Sequence, residues 1–190
     1  MEFELNRKEF DPMWASFKNG NRKAFEVIYR ENAKSLISYG YKITSNKAVV
    51  EDSIQDLFFE LWESRERIAN TTSVKFYLFK ALRYKVCRNL SKIDFENLQD
   101  ISGLENELWL HSHESALINF ELEMRQHNAL KTQLDLLPSR QQEAINLRYF
   151  NDFSNEEVAQ IMDLNYQSAC NLIYSALRKL KLYLKEPFFN

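Results

Sequence analysis

The sequence predicts an all-α fold of two small helical domains joined by an acidic linker, with a helix-turn-helix in the second domain. Apolar residues recur near a 3.6-residue spacing, and no segment alternates convincingly with a period of two. Only three Gly and three Pro occur in 190 residues, too few turn residues for a sandwich or barrel. Charge changes sign near residue 94, where helical periodicity is also lost. We therefore expect domains at 1–93 and 114–190, with a linker at 94–113.

Five helices are predicted as far as the start of the second domain. The first follows Asp11 and has a Pro in its first turn. The second follows Asn21, a residue type that favours the N-cap position. Apolar spacing predicts the third over roughly 45–67, the fourth over roughly 72–92 and the fifth over roughly 114–136.

Three helix starts are predicted in the rest of the second domain. Ser139 and Gln142 have the spacing of a capping box at the start of one helix. Ser154 and Glu157 have the same spacing at the start of the next helix. Asn165 is a candidate N-cap for a last helix that extends to about residue 185.

The composition excludes several classes of protein. Gly20, Gly40 and Gly103 are too far apart for a phosphate-binding loop or dinucleotide fingerprint. Cys87 and Cys170 have no paired Cys or His nearby, so neither a disulfide scaffold nor a zinc site is indicated. No run of about 18 apolar residues could span a membrane, and the charged N-terminus does not resemble a signal peptide. We expect a cytoplasmic monomer with no metal or other cofactor and no membrane insertion.

No arrangement of residues predicts catalysis. His111, His113 and His127 lie in or near the linker, and the first two would not share a helical face. The chain has no nucleophile motif and no Glu-x-x-His pair of the kind that helical metal enzymes use. We expect no enzymatic activity.

The segment 155–174 fits a helix-turn-helix. Ala159 is small enough for two helices to cross closely, and Asp163 tolerates the left-handed backbone that the turn needs. The second helix carries polar and aromatic side chains that suit base edges in the major groove, followed by cations that suit phosphates. Expected DNA contacts are Tyr166, Gln167, Asn171, Tyr174, Arg178 and Lys179. A plain helical hairpin is the alternative, because such patterns also occur by chance.

The fourth predicted helix has a basic and aromatic face opposite an apolar stripe. From Arg67 to Lys92 the chain has seven basic side chains and no acid, whereas a solvated helix usually mixes the two signs. Cations contact phosphates, and aromatic rings stack on bases that have left the duplex. We expect contacts to melted or single-stranded DNA from Tyr77, Lys80, Arg83, Tyr84, Arg88 and Lys92, with Arg83 at the edge of the face. An ordinary basic solvent face is the alternative.

The third predicted helix has an outer face of another kind. Opposite its apolar stripe, acidic and amide side chains surround Phe59, and Trp62 lies on the flank. An exposed apolar ring among carboxylates is typical of a protein-docking surface. Expected partner contacts are Asp52, Gln55, Asp56, Phe59 and Trp62. The sequence leaves open whether Phe59 packs against the first helix instead.

These motifs resemble the extracytoplasmic-function group of bacterial RNA polymerase sigma factors. Residues 52–62, DSIQDLFFELW, are similar to the family's helix that docks on the β′ clamp helices of core polymerase. Residues 76–81, FYLFKA, are similar to the helix that engages the minus-ten promoter element and its melted bases. Leu137-Pro138, LRYF at 147–150 and SNEEVA at 154–159 are similar to the start of the domain that reads the minus-thirty-five element.

The resemblance implies a sigma factor that binds promoter DNA and the β′ clamp helices and β flap of core polymerase. It implies sigma region 2 at 1–93, sigma region 4 at 114–190, base capture by the loop at 63–73, and an anti-sigma partner. Tyr84 stands where the family usually has Asn, and the recognition helix is less basic than the common form. In this it resembles sigma factors of Bacteroidetes-type bacteria.

The net charge of −2 hides an uneven distribution. Residues 1–93 carry +5, residues 94–137 carry −7 and the remainder is neutral. The linker would lie in a basic polymerase channel or act as a solvated tether, and both remain open. A further hypothesis is that it folds against the basic face of the free chain and weakens DNA binding. The rival functions are a two-domain helix-turn-helix regulator that does not recruit core polymerase, and a helical scaffold that binds only protein.

Overall fold

The computed structural model describes residues 11–97 and 132–183, apart from the side chains of 94–97 and 183. Within these ranges the chain is helical and has no strand, which confirms the all-α class. The helices are α1 Pro12–Lys18, α2 Arg22–Ile43, α3 Lys47–Glu63, α4 Val74–Asn97, α5 Ser139–Ile145, α6 Asn155–Met162 and α7 Tyr166–Tyr183. A π-helical turn, Asn146–Phe150, continues α5. The helix expected at 114–136 and the linker lie mostly outside the described residues, although 132–135 are helical.

Short polar side chains cap the first three helices. The Asp11 carboxylate accepts from the amides of Met13 and Trp14 at 2.8 and 3.3 Å, and Asn21 caps α2 in the same way. The third helix is shorter than expected, because Asn46 is its N-cap and the chain turns after Glu63.

Helices α1–α4 bury an aromatic core. The Phe17 ring lies 5.3 Å from Trp14 and 5.8 Å from Phe25, between centroids. Helices α2 and α3 approach closely at Gly40, where an added Cβ would lie 2.5 Å from Val50 Cγ1. A larger residue at position 40 would therefore collide with Val50 where these two helices cross.

Helices α6 and α7 form the expected helix-turn-helix. The capping box is confirmed, because the Glu157 amide donates to Ser154 Oγ at 3.2 Å and the Ser154 amide donates to the Glu157 carboxylate at 2.8 Å. Asp163 has the left-handed backbone that the turn needs, with φ 54° and ψ 53°. Asn165 caps α7 by accepting from the Ser168 amide at 2.8 Å.

The prediction of a capping box at the start of α5 is wrong. Pro138 takes the N-cap position and has no side chain that can cap, so Ser139 becomes the first helical residue. The side-chain amide of Gln142 instead donates to the backbone carbonyl oxygens of Asp135 and Leu137 at 3.1 and 2.9 Å.

The two domains pack directly against each other. Helix α2 contacts α5, and α4 contacts α6. The charge pattern predicted domains on either side of a linker and gave no indication of this contact, which changes the surroundings of several candidate site residues.

Candidate protein-docking and nucleic-acid surfaces

Helix α3 separates a buried stripe from an exposed one. Val50, Ile54, Leu57, Phe58 and Leu61 are buried, as the periodicity predicts. Asp52, Gln55 and Asp56 are exposed, and Phe59 is 68% exposed. The alternative that Phe59 packs against α1 is therefore wrong. We call these four exposed residues the acidic-apolar face.

Trp62 lies beside this face but is partly buried. Its ring lies 5.1 Å from Phe25 and 6.3 Å from Phe17, and the Arg65 guanidinium lies over it at 4.6 Å. Trp62 is therefore only partly accessible to a partner that binds the acidic-apolar face.

Helix α4 exposes four of the six residues expected to contact melted DNA. Lys80, Arg88 and Lys92 are exposed, and the Tyr84 ring is 67% exposed. We call these four residues the basic-aromatic face. No acid interrupts it along the helix, so cations and a free ring are available together.

Tyr77 is half-buried against α1. Its ring centroid lies 5.0 Å from that of Trp14. Burial, and then the nearby Glu60 charge, raise the pKa of Tyr77. Lys85, on the same side of the helix, forms an ion pair with Glu60 at 2.6 Å and has only 15% of its side chain exposed. The exposed part of α4 is therefore narrower than a helical projection indicates.

Arg83 lies in the contact between the two domains. Its Nε lies 2.7 Å from Glu143 Oε1, and the two side chains are 16% and 5% exposed. Tyr39 donates its hydroxyl to the same Glu143 oxygen at 2.9 Å. Burial lowers the pKa of Arg83, but the charge and the hydrogen bond of Glu143, together with smaller contributions from Cys87 and Tyr39, outweigh burial and the pKa is raised. Burial, and then Glu143, hold the pKa of Tyr39 well above its usual value.

Neither Glu143 nor its neighbours in this contact are among the site residues predicted from the sequence. Glu143 lies on α5 among buried residues, and an acid at a core-facing position was the available signal. Phe153 is 3% exposed and lies against α4. The partners of both residues are far away in the chain, so periodicity could not reveal the pairing.

The outer face of α7 carries the side chains expected to read DNA. Tyr166 and Tyr174 are 50% and 69% exposed. Gln167 donates its amide to Asn171 Oδ1 at 3.0 Å, so the two amides form one polar unit on the exposed face. Arg178 is exposed and Lys179 is partly buried one turn further along. This arrangement suits an approach to base edges with cations beside the groove.

Neither a metal site nor a membrane-spanning helix occurs among residues 11–97 and 132–183. No cluster of three or more His, Cys, Asp or Glu in these ranges could hold a metal ion. No helix described there is long and apolar enough to cross a bilayer. The three histidines lie outside the described residues.

Comparisons with known proteins match both domains. The family model described as Sigma-70 region 2 matches residues 28–95, and the one described as Sigma-70, region 4 matches residues 127–180. Together they cover more than half of the chain. No curated protein sequence matches it.

Solved structures support the fold. The sigma factor RpoE in complex with the anti-sigma factor NepR, from Bartonella quintana, has a TM-score of 0.66 at 21% identity, covering 86% of this chain and 98% of that one. CnrH in complex with the cytosolic domain of CnrY has a TM-score of 0.58 at 19% identity, covering 90% and 94%. With both conserved regions matched in order, the chain belongs to the sigma-70 family of RNA polymerase sigma factors.

Proposed function

We propose that this sigma factor, of the extracytoplasmic-function type, uses the acidic-apolar face for core polymerase and the basic-aromatic face for melted promoter DNA. The observation that carries the proposal is that one small domain exposes both surfaces on adjacent helices. Phe59 and Tyr84 are almost equally exposed, yet carboxylates neighbour one and cations the other. A regulator that does not recruit polymerase has no need of the first surface, and a protein scaffold has no need of the second.

The acidic-apolar face has the composition of a docking site for a partner helix. An apolar anchor that becomes fully covered contributes most of the affinity at such sites, and surrounding charges orient the partner. The resemblance points to the β′ clamp helices as that partner. The C-terminal domain would contact the β flap.

Two surfaces and one loop would contact the promoter. Lys80, Arg88 and Lys92 would bind phosphates of the opened strand while Tyr84 stacks on an unpaired base. The outer face of α7 would enter the major groove at the minus-thirty-five element, with the Gln167–Asn171 unit at base edges. The loop at 63–73 would capture a flipped base, at a cost of lost stacking that favours easily opened sequences.

The domain boundaries and partners follow from the same reading. We assign sigma region 2 to 1–93, the linker to 94–113 and sigma region 4 to 114–190, in a protein that works in the cytoplasm and catalyses no reaction. The Bartonella quintana relative is described in complex with an anti-sigma factor, and we propose a partner of that class here. The less basic recognition helix supports an origin in a Bacteroidetes-type bacterium.

Reconstitution with bacterial core polymerase tests the proposal. The purified chain should co-elute with core polymerase and direct transcription from discrete start sites that core polymerase alone does not use. Core binding without specific starts would favour a protein-only scaffold, and promoter binding without core binding would favour a separate regulator. Asp56→Arg should lose core binding, whereas Lys80→Glu with Arg88→Glu should lose promoter opening and keep core binding. Equal damage to both activities by both variants would contradict the assignment of the two faces.

A further inference from the structure

Helix α1 makes contacts that its sequence did not predict. It lies outside residues 28–95, which the region 2 family model matches, and its buried side consists of Trp14 and Phe17. The helix and its N-cap also contact one short stretch, residues 69–71, of the loop at 63–73. We call this loop the capture loop, because the proposed function assigns an extruded base to it. Helix α1 therefore packs against the segment whose shape decides how that base is held.

Two backbone carbonyl groups of the capture loop are held by α1 and its N-cap. Trp14 is fully buried, and its indole Nε1 donates to the Ala69 carbonyl oxygen at 3.0 Å. A buried indole N–H needs a partner, so this bond ties the loop to the core of the domain. The backbone amide of Asp11, the N-cap of α1, donates to the Thr71 carbonyl oxygen at 3.1 Å. The backbone between these two points therefore has one defined path.

Between these two points, Lys18 orients the side chain of Asn70. Lys18 lies in the last turn of α1, and its Nζ donates to Asn70 Oδ1 at 2.8 Å. An ammonium cannot accept a hydrogen bond, so it pairs with the oxygen of the amide and not with the nitrogen. This leaves the Asn70 Nδ2 group, which only donates, as the free end of an exposed side chain. The ammonium keeps two further N–H donors, so the pair offers mainly donors to a ligand.

The Lys18–Asn70 hydrogen bond adds orientation and little stability. It is exposed, and changes at exposed positions seldom alter the free energy of unfolding much. The loop has its own local support, because the Thr71 hydroxyl donates to the Ser73 carbonyl oxygen at 3.0 Å and accepts from the Ser73 amide at 3.1 Å. Removal of the Lys18 ammonium should therefore leave the path of the loop intact and free only the Asn70 side chain.

The capture loop continues directly into α4, which begins at Val74 and carries the basic-aromatic face. A DNA strand that follows this face toward the start of α4 reaches the loop. Binding residues on loops are effective when a rigid scaffold positions them. A loop that already has its binding conformation also avoids the ordering cost that a free loop incurs on binding. The contacts from α1 give the capture loop both properties.

We propose that α1 is the platform of the base-capture site, with Lys18 as a positioning residue and Asn70 as the specificity-determining residue that donates from Nδ2 to the extruded base. This inference rests on the proposed function of the capture loop. A pair of donors selects a base edge with two neighbouring acceptors, such as N7 and O6 of guanine or N3 and O2 of cytosine. Adenine has an amino group between N1 and N7, and thymine has an N–H between its two carbonyls, so either base would set a donor against a donor. Guanine or cytosine is therefore expected at the extruded position.

Binding of the reconstituted holoenzyme to forked promoter DNA tests the proposal, with each of the four bases in turn at every unpaired position. The parent should favour guanine or cytosine over adenine and thymine at one position, by roughly five- to a hundredfold in Kd. Lys18→Met frees the Asn70 amide to present either end, so this preference should fall, whereas Lys18→Arg should keep it. The matched control, Lys23→Met, makes the same side-chain change at an exposed position on α2 and should also keep it.

Asn70→Asp separates reading from positioning. Aspartate keeps an oxygen for Lys18 but replaces the amino group with a second oxygen, so the preference should move toward adenine, whose N6 group donates. A parent that prefers adenine or thymine at every unpaired position would overturn the proposal. So would an unchanged preference in Lys18→Met and Asn70→Asp. Equal loss of affinity for all four bases in Lys18→Met would overturn it as well, because Lys18 would then be an ordinary phosphate contact.

Nuclear magnetic resonance of the free protein tests the positioning step without polymerase or DNA. Lys18→Met should shift the side-chain amide signal of Asn70, and Lys23→Met should leave it in place. An Asn70 signal unchanged by Lys18→Met would overturn the positioning role. If core polymerase does not bind at all, the proposed function fails and the reading role fails with it. If the holoenzyme opens promoters but its base preference ignores Lys18 and Asn70, the proposed function stands and this inference alone fails.

Discussion

Truncation of Phe59 distinguishes the two exposed faces most sharply, because α4 offers a matched control. Phe59→Ala and Tyr84→Ala each remove an aromatic ring from the same domain, and the two residues are 68% and 67% exposed. Neither ring contributes much to the core, so each variant should stay within about 0.5 kcal/mol of the parent free energy of unfolding. Any loss of function then reflects a lost contact and not a lost fold.

The expected loss of core affinity follows from the exposed area of Phe59. A phenylalanine buries about 200 Å² when fully covered, so a side chain that is two-thirds exposed has roughly 140 Å² left to bury. At about 25 cal/mol per Å² this is up to about 3.5 kcal/mol, or roughly three hundredfold in Kd. Tyr84→Ala should leave core affinity unchanged and lose about 1–3 kcal/mol of stacking on an opened base.

Two assays measure the separation. Fluorescence anisotropy of labelled chain against core polymerase gives the core affinity, and permanganate reactivity of promoter thymines gives strand opening by the holoenzyme. Phe59→Ala should fail the first assay, and its opening should recover when core is added in excess. Tyr84→Ala should pass the first and fail the second. If the two variants lose core affinity to the same extent, the assignment of separate faces is wrong.

Three further predictions concern the fold. Ser154→Ala removes one hydrogen bond of the observed capping box and should lower the free energy of unfolding, measured with urea, by about 1 kcal/mol. Ser139→Ala, at a position where no cap forms, should lower it far less. Gly40→Ala places a methyl 2.5 Å from Val50 Cγ1 and should lower the free energy of unfolding by about 1–2 kcal/mol, after allowance for the better helix propensity of Ala. The double variant Gly40→Ala with Val50→Ala should lose less than the sum of the losses of the two single variants, because the second change removes the clash. The pKa of Tyr39 is raised by burial and by Glu143, so its stabilising effect is intact below pH 10 and lost as pH rises above 10. The thermal midpoint should therefore fall more steeply above pH 10 in the parent than in Tyr39→Phe, and parallel curves would contradict this.

Local chemistry was predictable wherever neighbouring residues determine it. Ser154 and Glu157 are three residues apart and form their capping box, and Asp163 adopts the left-handed turn that its position in the motif requires. The same reasoning was wrong for Ser139. Pro138 occupies the N-cap there, and a spacing of three residues does not show which residue precedes the first helical turn.

The widths of the two faces depend on partners that spacing cannot show. A helical projection places Tyr77 and Lys85 on the open side of α4. In the fold Trp14 covers Tyr77, and Glu60 binds Lys85. Phe59 is the opposite case, because the sequence left its burial open and the fold leaves it exposed. Tertiary neighbours decide such positions, and periodicity reports only which side of a helix a residue occupies.

The domain contact was beyond the reach of the sequence for a similar reason. Glu143 and Arg83 are 60 residues apart, and neither residue alone indicates which partner it has. The unequal charge of the segments led to the hypothesis that the linker shields the basic helix, and the linker lies mostly outside the described residues. The described residues show another acid, Glu143 of the C-terminal domain, paired with that helix.

Mapping of RNA 5′ ends made by the reconstituted holoenzyme on a pool of genomic fragments tests the central claim most directly. The account predicts a small set of start sites that share two upstream elements about 25 base pairs apart. Asn171→Ala should relax the sequence preference at the distal element, and Tyr84→Ala should lower yield at every site. Start sites indistinguishable from those of core polymerase alone, or unchanged by both substitutions, would contradict it.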